Sequence, residues 1–423
     1  MITVEEHRAA VLAGVEPLPV RHLPLTDALG CLLTEDVTAA LHVPPFDNSA
    51  MDGYAVRADD VATADEDAAV DLRVVGDIPA GAAELPDVLP GTAARIMTGA
   101  PMPPGADAVV PVERTDQQAG PGEGTELPET VRIFASSPAG RHIRRAGEDV
   151  APGAVVLRAG GLVGPRDLAT AAATGHGTLP VRPRPRVGVL TTGDELVPPG
   201  APLGPGQIPE SNNVLLLGLV DVLGGRAVPL GFVGDDPAEL RGLLEDNLGA
   251  VDALITTGGV SAGAYDVVKQ VLAPLGDVSF TSVAIQPGKP QGFGVLRRDD
   301  GAGVPIFCLP GNPVSVFVSF QVFVEPALRV MAGLADPDVP QSVEPVLIEA
   351  RAAAGWRCPP GRRQYIPVVF DEDDETTRVR PASPRGSGSH LVASLAAAEG
   401  LAVVAAGTEA VAEGDAVPVM MVP

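Results

Sequence analysis

Three apolar, β-branched runs of this sequence stop at turns loaded with polar chemistry. RVGVLTT (186–192) stops at Gly193-Asp194-Glu195, VDALITT (251–257) at Gly258-Gly259-Val260-Ser261, and VPIFCLP (304–310) at Gly311-Asn312-Pro313-Val314-Ser315. A glycine turn that opens a helix presents bare N–H groups, and with the helix dipole these favour phosphate-like anions. Asn312 stands where an N-cap belongs and Pro313 at the first helical position. Pro287-Gly288-Lys289-Pro290 adds a cation on a further tight turn. Ordinary helix capping accounts equally well for any one of these turns.

Acids form a second constellation. Asp194, Glu195, Asp235, Asp236 and Asp266 each follow an apolar run, so they can converge at one sheet edge. Carboxylate oxygens are hard donors suited to Mg²⁺, which keeps waters and bridges to substrate phosphates. Taken singly, each acid also serves as a cap for the helix that follows it. Upstream, HVPPFDNSAMDGYAVRADD (42–60) bunches Asp47, Asn48, Ser49 and Asp52. It is either a Pro-Asx-Gly turn whose side chains cap backbone N–H groups, or a polar loop presenting Asp52 to a cation or ligand. Thr98-Gly99-Ala100-Pro101 on its own is an ordinary turn. Arg141, Arg144 and Arg145 precede Glu148-Asp149, as an anion site or as solvated ion pairs.

The elements that must carry these residues alternate. ESNNVLLLGLVDVLGG (210–225) has helical spacing and ends in two glycines, RAVPLGFV (226–233) reads as a strand, and AELRGLLEDNLG as a helix. Strands alternating with helices imply a largely parallel sheet covered on both faces, with ligands at the strands' carboxyl ends. Before this lie an amphipathic helix and a second helix, LTDALGCLL capped by Thr26, both within 3–33. A β-rich stretch (70–135) follows, with an exposed, mobile Gly/Glu-rich loop at 116–129, and then an Ala-rich helix at 164–176. After a Pro/Asp linker, residues 343–423 show short Val-rich runs typical of a small β domain.

Composition narrows the classes. With 29 basic against 54 acidic residues the net charge is −25, which lacks the basic footprint of a nucleic-acid binder. An anionic ligand must be drawn in by local groups against the overall field. Cys31, Cys308 and Cys358 are scattered without a C-x-x-C pair, which points to a reduced compartment and away from a zinc site. The acidic N-terminus MITVEEHRAA has no signal-peptide pattern. VSVFVSFQVFV (314–324) is too short to span a membrane and is followed by Glu325-Pro326. A cytoplasmic protein without membrane segments is expected. G-x-G-x-x-G after the first strand and G-x-x-x-x-G-K-[ST] are missing, which disfavours dinucleotide dehydrogenases and P-loop NTPases.

In order, VPPFDNSAMDGYAVR (43–57), RIMTGAP (95–101), IRRAGED (143–149), TTGDEL (191–196), TTGGVS (256–261), QPGKP (286–290) and LPGNPVS (309–315) resemble the molybdopterin molybdenumtransferase family, the bacterial MoeA proteins and the E domain of gephyrin. The match spans nearly the whole chain. It implies a multidomain α/β plus β protein: a discontinuous helical domain (1–42 and 140–180), an inserted β domain (43–139), a three-layer α/β/α molybdopterin-binding-like domain (181–335) and a C-terminal β-barrel (336–423). It further implies a homodimer whose cleft combines the α/β domain of one subunit with the β domain of the other. The implied reaction inserts molybdate into adenylylated molybdopterin (molybdopterin-AMP) with Mg²⁺-dependent release of AMP.

By the same resemblance the functional acids are Asp52, Asp149, Glu195, Asp235 and Asp266, with Glu195 and Asp235 as metal ligands and Lys289 beside them. Thr98, Gly258, Gly259, Ser261, Gly311, Asn312, Pro313, Ser315, Arg362, Arg363 and Ser389 are the implied substrate contacts. Two positions depart from the family: Gln286 stands where many relatives have a lysine, and Pro367 where some carry an arginine. The adenylyltransferase that makes the AMP adduct and the recipient molybdoenzymes are the further implied partners. The alternatives are that adenylyltransferase activity itself, and a non-catalytic gephyrin-like scaffold.

Overall fold

A computed structural model describes residues 1–117, 126–260, 267–275, 277–371, 377–383 and 388–423. The chain divides into two compact units, one of residues 1–21, 30–34 and 180–423, the other of 22–29 and 35–179.

The first unit is built on a six-stranded sheet in the spatial order 226–233, 186–192, 253–257, 303–309, 290–297, 278–282. The first four strands are mutually parallel, and the last two run antiparallel to their neighbours. The four parallel strands are the apolar runs expected from the sequence. Successive side chains leave a strand on opposite faces, and the cores divide accordingly. Val187, Val189, Ile255 and Phe307 join one cluster with Leu216 and Val220 of the Asn212–Val222 helix. Leu190, Leu254, Ile306 and Cys308 join another with Leu240 and Leu244 of the Pro237–Asn247 helix. Each fully buried Leu, Ile, Val or Phe contributes about 1.5–3 kcal/mol, so covering both faces is what holds the sheet.

The strands Val278–Ser282 and Pro290–Arg297 carry no clear sequence signal, because the second is interrupted by glycines. Their positions demand it: a Cβ on Gly292 would lie 2.8 Å from the Cys308 Cβ, and one on Gly294 would lie 2.2 Å from the Asp277 carbonyl oxygen.

Residues 313–331 form one 19-residue helix that is long and apolar enough to cross a membrane, but 89% of it is buried inside the fold. It is a core helix. Glu325-Pro326 does not end it, contrary to expectation. The Phe320–Val324 segment is π-helical, and this local widening accommodates the proline ring, which otherwise meets the carbonyl four residues back.

The expected second N-terminal helix is absent. Val4–Ala13 is a helix with a Thr3/Glu6 capping box, but Leu25–Asp27 is a single 3₁₀ turn and Leu32–Leu33 is a short strand paired with Val181 and Arg182. Strand pairing supplies the Leu32-Leu33 backbone with partners that an isolated short helix would lack. The Val4–Ala13 helix packs Val4, Val11 and Leu12 into the first core. Its His7 ring stands edge-on to Phe323 at 4.7 Å, and burial lowers its pKa to about 4, so it is neutral at physiological pH.

The C-terminal strands 363–370, 378–381, 347–352, 416–421 and 400–404 pair in that order, and the last pairs with the first, closing a five-stranded barrel. Ile285–Gln286 from the α/β part adds a short parallel strand to its Arg363–Phe370 strand.

The second unit holds a five-stranded sheet in the order 108–111, 53–56, 92–96, 70–78, 130–133. Tyr54 and Val56 face one core and Ala55 the other. Gly53 is obligatory, since a Cβ there would come within 2.0 Å of the Val110 carbonyl oxygen. The Ala-rich segment forms the helix Pro165–Ala173. Of the expected mobile loop at 116–129, residues 118–125 lie outside the described residues.

Candidate functional site

The carboxyl ends of the parallel strands open into a cleft of about 390 Å³. Its walls are the Gly258-Gly259 turn, the Gln286–Pro290 turn, the Pro310–Asn312 turn with Ser315, and Ser389 from the barrel part. Gly258 and Gly259 have φ of 90° and 60°, and a Cβ on Gly258 would meet the Thr192 carbonyl oxygen at 2.5 Å. Only glycine takes this path at no steric cost.

Buried amides the sequence reading passed over lock the turns. Asn212 Nδ2 donates to the Gly311 carbonyl at 2.7 Å. Gln291 Nε2 donates to the Gly288 carbonyl and to Ser319 Oγ, both at 2.7 Å. A buried carboxylate, Glu210, accepts from the Asn213 N–H at 2.7 Å and caps the helix that carries Asn212. For Glu210 and Asn212 the signal was the polar E-S-N-N cluster at the start of an otherwise apolar helix.

Asn312 and Pro313 occupy the expected N-cap and first helical positions. The Asn312 side chain makes no capping bond, however; its Nδ2 donates to Ser389 Oγ at 3.1 Å. The Val314 N–H donates to the Ser389 carbonyl at 3.2 Å. Ser315 is buried on the first turn of the long helix. The cleft thus combines a helix N-terminus, two serines and a lysine, and no acid is among its lining residues. Lys289 is exposed there and makes no side-chain hydrogen bond or ion pair within the described residues.

The two arginines considered as cations part ways. Arg362 Nη1 donates to Gln286 Oε1 at 3.0 Å, which places it directly behind the cleft wall. Arg363 is ion-paired with Glu5 instead. Pro367 is buried in the barrel strand opposite Leu401, so no cation enters from that position.

The acids separate as well. Asp194 Oδ1 accepts from the Asp235 N–H at 2.9 Å, and Asp236 Oδ1 caps the next helix through the Ala238 N–H at 2.8 Å. Glu195 and Asp235 are exposed on the two adjacent turns joined by the Asp194 bond. No group of three or more His, Cys, Asp or Glu side chains that could hold a metal occurs among the described residues. Two exposed carboxylates fit the donor set of Mg²⁺, which binds through one or two carboxylates and completes its shell with water and phosphate oxygens. Ser261 and Asp266 lie outside the described residues.

In the second unit Asp52 Oδ1 accepts from the Thr98 N–H at 2.6 Å, so these two positions are brought together. Asp47 pairs with Arg145 at 2.6 Å and accepts from the Ala146 N–H at 2.8 Å. These bonds hold its carboxyl below the usual range, the Ala146 N–H foremost and Arg145 next. Asn48 and Ser49 are buried, and their side chains bond to the local backbone. Asp52 and Asp149 stay exposed.

The fold is thus an α/β sheet with an acid-free cleft at its carboxyl edge, joined to a small barrel, and the comparisons identify its family. Residues 2–175 match the MoeA N-terminal region (domains I and II), 188–330 a probable molybdopterin-binding domain, and 349–422 the MoeA C-terminal region (domain IV). Molybdopterin molybdenumtransferase 2 of Mycobacterium tuberculosis is 44% identical over 97% of this chain and 98% of its own length. Molybdopterin molybdenumtransferase 1 of the same species is 36% identical over 99% and 98%. A crystal structure of a molybdopterin biosynthesis MoeA protein from Pyrococcus horikoshii superposes with a TM-score of 0.65 at 30% identity, covering 100% of this chain and 99% of that one. The chain belongs to the MoeA family of molybdopterin molybdenumtransferases.

Proposed function

We propose that the cleft holds molybdate while this transferase inserts molybdenum into molybdopterin, and that the dithiolene substrate arrives adenylylated and leaves AMP behind. The observation that carries this reading is an acid-free cleft with an exposed lysine in a chain of net charge −25. Such a pocket is a local anion site in a repulsive overall field. Lys289 supplies charge, Ser315 and Ser389 supply hydroxyl donors, and the helix beginning at Pro313 turns the positive end of its dipole to the cleft, so the oxyanion is held in place while the dithiolene sulfurs displace its oxygens as water and the pyrophosphate bond to AMP is hydrolysed. The Gly258-Gly259 turn, with Ser261 and Asp266, is the proposed seat of the adenylylated end.

Glu195 and Asp235 would hold Mg²⁺, which when bound neutralises the pyrophosphate and polarises it for cleavage. Asp52 and Asp149, with Thr98 bonded to Asp52, are the further acids proposed for the reaction. No protein nucleophile is required. Cys308 is wholly buried, its pKa pushed up to about 12 by burial.

The test separates the two ends of the substrate. Lys289→Ala should raise the molybdate concentration for half-maximal insertion by about tenfold, since a hydrogen bond to a charged group contributes about 1.5–3 kcal/mol, and should leave molybdopterin-AMP binding nearly unchanged. Glu195→Gln should bind molybdopterin-AMP but release AMP at least about a hundredfold more slowly in a single turnover, because several kcal/mol of charge stabilisation depend on the metal. Parent-like molybdate titration and AMP release in both variants would refute the assignment. We propose also a cytoplasmic homodimer; light scattering that returns 43.0 kDa at micromolar concentration would contradict it.

A further inference from the structure

Gln286 lines the cleft, and its side-chain oxygen accepts from Arg362 Nη1 at 3.0 Å. The register that makes this contact is fixed by the backbone. Ile285 and Gln286 pair in parallel with Arg363 and Gln364 of the barrel, and the Arg363 N–H donates to the Ala284 carbonyl at 2.9 Å. Residue 362 therefore arrives beside Gln286 whenever the barrel strand is seated.

An arginine can only donate, so the amide atom it faces is the oxygen, and the Gln286 NH₂ group is turned away from Arg362. A guanidinium on the oxygen of an amide also polarises it, and chained hydrogen bonds strengthen one another in a low-dielectric site. Arg363, the neighbouring cation, is committed to Glu5 and takes no part.

We propose that Gln286 and Arg362 form one anion-binding unit in the cleft, in which the Gln286 NH₂ donates to the bound oxyanion and Arg362 is the positioning residue that orients and polarises it. The proposal rests on the reading of the cleft as the molybdate site. It explains why a neutral residue suits position 286 here. A lysine would set an ammonium against the Arg362 guanidinium at hydrogen-bond distance, and two like charges so placed repel. It would also take away the acceptor that holds Arg362.

The experiment is direct titration of the full-length chain with molybdate alone, at fixed ionic strength, by calorimetry. Gln286→Met and Arg362→Met should each weaken binding about tenfold, and the double variant should be no weaker than about either single one. Arg362→Lys should recover most of the loss, which a purely structural role for Arg362 in the barrel would not predict for an anion titration. Gln286→Lys should fail to strengthen binding in the parent and should strengthen it in the Arg362→Met background. Additive losses in the double variant, or stronger binding by Gln286→Lys in the parent, would overturn the proposal. Lys289→Ala separates the two levels. If it weakens molybdate binding while the Gln286 and Arg362 variants do not, only the paired unit is wrong. If all three bind as the parent does, the cleft is not the molybdate site.

Discussion

At the amino-terminal edge of the parallel sheet, Asp252 accepts from Arg186 Nε at 3.0 Å, from Arg186 Nη2 at 2.8 Å and from the Arg186 N–H at 2.9 Å. Arg298 approaches the same carboxylate at 3.5 Å and donates to the Leu248 carbonyl at 3.0 Å. Arg186, Arg298 and Asp252 satisfy one another there. At the carboxyl edge, some five residues along the same strands, Lys289 makes no side-chain bond within the described residues and the helix that opens the cleft has no side-chain cap. Exposed donors without a protein partner are hydrated, and a ligand can take the place of that water. One edge of the sheet is closed by its ion pairs, and the other carries the cleft proposed as the anion site.

The largest effect that would break this contrast lies at the closed edge. Asp252→Asn keeps the shape but removes the charge that compensates Arg186 and Arg298, and for a pair whose arginine side is 37% exposed the loss should be about 1.5–3 kcal/mol. Chemical denaturation should show that loss, while molybdate affinity stays at the parental value. A similar loss of affinity would mean the two edges are coupled and the contrast is false. The acid limb follows from the same group. Burial alone would raise the Asp252 pKa, but the Arg186 hydrogen bonds and charge, with Arg298, outweigh it and the carboxyl titrates below its ordinary value. A depressed pKa contributes stability above the unfolded value and loses it as pH falls through the folded one, so this contribution should decline progressively as pH drops below about 4. The Asp252→Asn variant should lack that part of the acid transition.

The closed edge was harder to read from sequence than the open one. RVGVLTT, VDALITT and VPIFCLP announce themselves as strands through their apolar runs, and the glycines after them mark the turns of the cleft. By contrast, Arg186 and Asp252 are 66 positions apart and only strand order makes them neighbours. The Pro290–Arg297 strand was hidden by glycines that exist because neighbouring atoms leave no room for a Cβ. The acids are the opposite case. Spacing suggested that Asp194, Glu195, Asp235 and Asp236 converge, but Asp194 and Asp236 are spent on backbone N–H groups, as single capping residues are. Gln286 looked like a lost charge, and its pairing with Arg362 required a strand contributed to the barrel from 76 residues away.

The smallest expected effect sharpens the contrast at its open edge. Asn312 sits at the N-cap of the helix beginning at Pro313, yet its side chain donates across the cleft to Ser389 Oγ and caps none of the first-turn N–H groups, of which that of Val314 is taken by the Ser389 carbonyl. Asn312→Asp changes the preference. A carboxylate cannot donate to Ser389, but it accepts from the helix N–H groups and opposes the positive end of the dipole, which stabilises a helix by about 0.3–1 kcal/mol. The variant should therefore unfold at a slightly higher denaturant midpoint than the parent. The same carboxylate occupies the donors an oxyanion would use and adds a negative charge beside it, so molybdate binding should weaken even as the fold gains. If stability and affinity rise together, the first turn of this helix is not part of the anion site, and the open edge must be defined by Lys289, Gln286 and the serines alone.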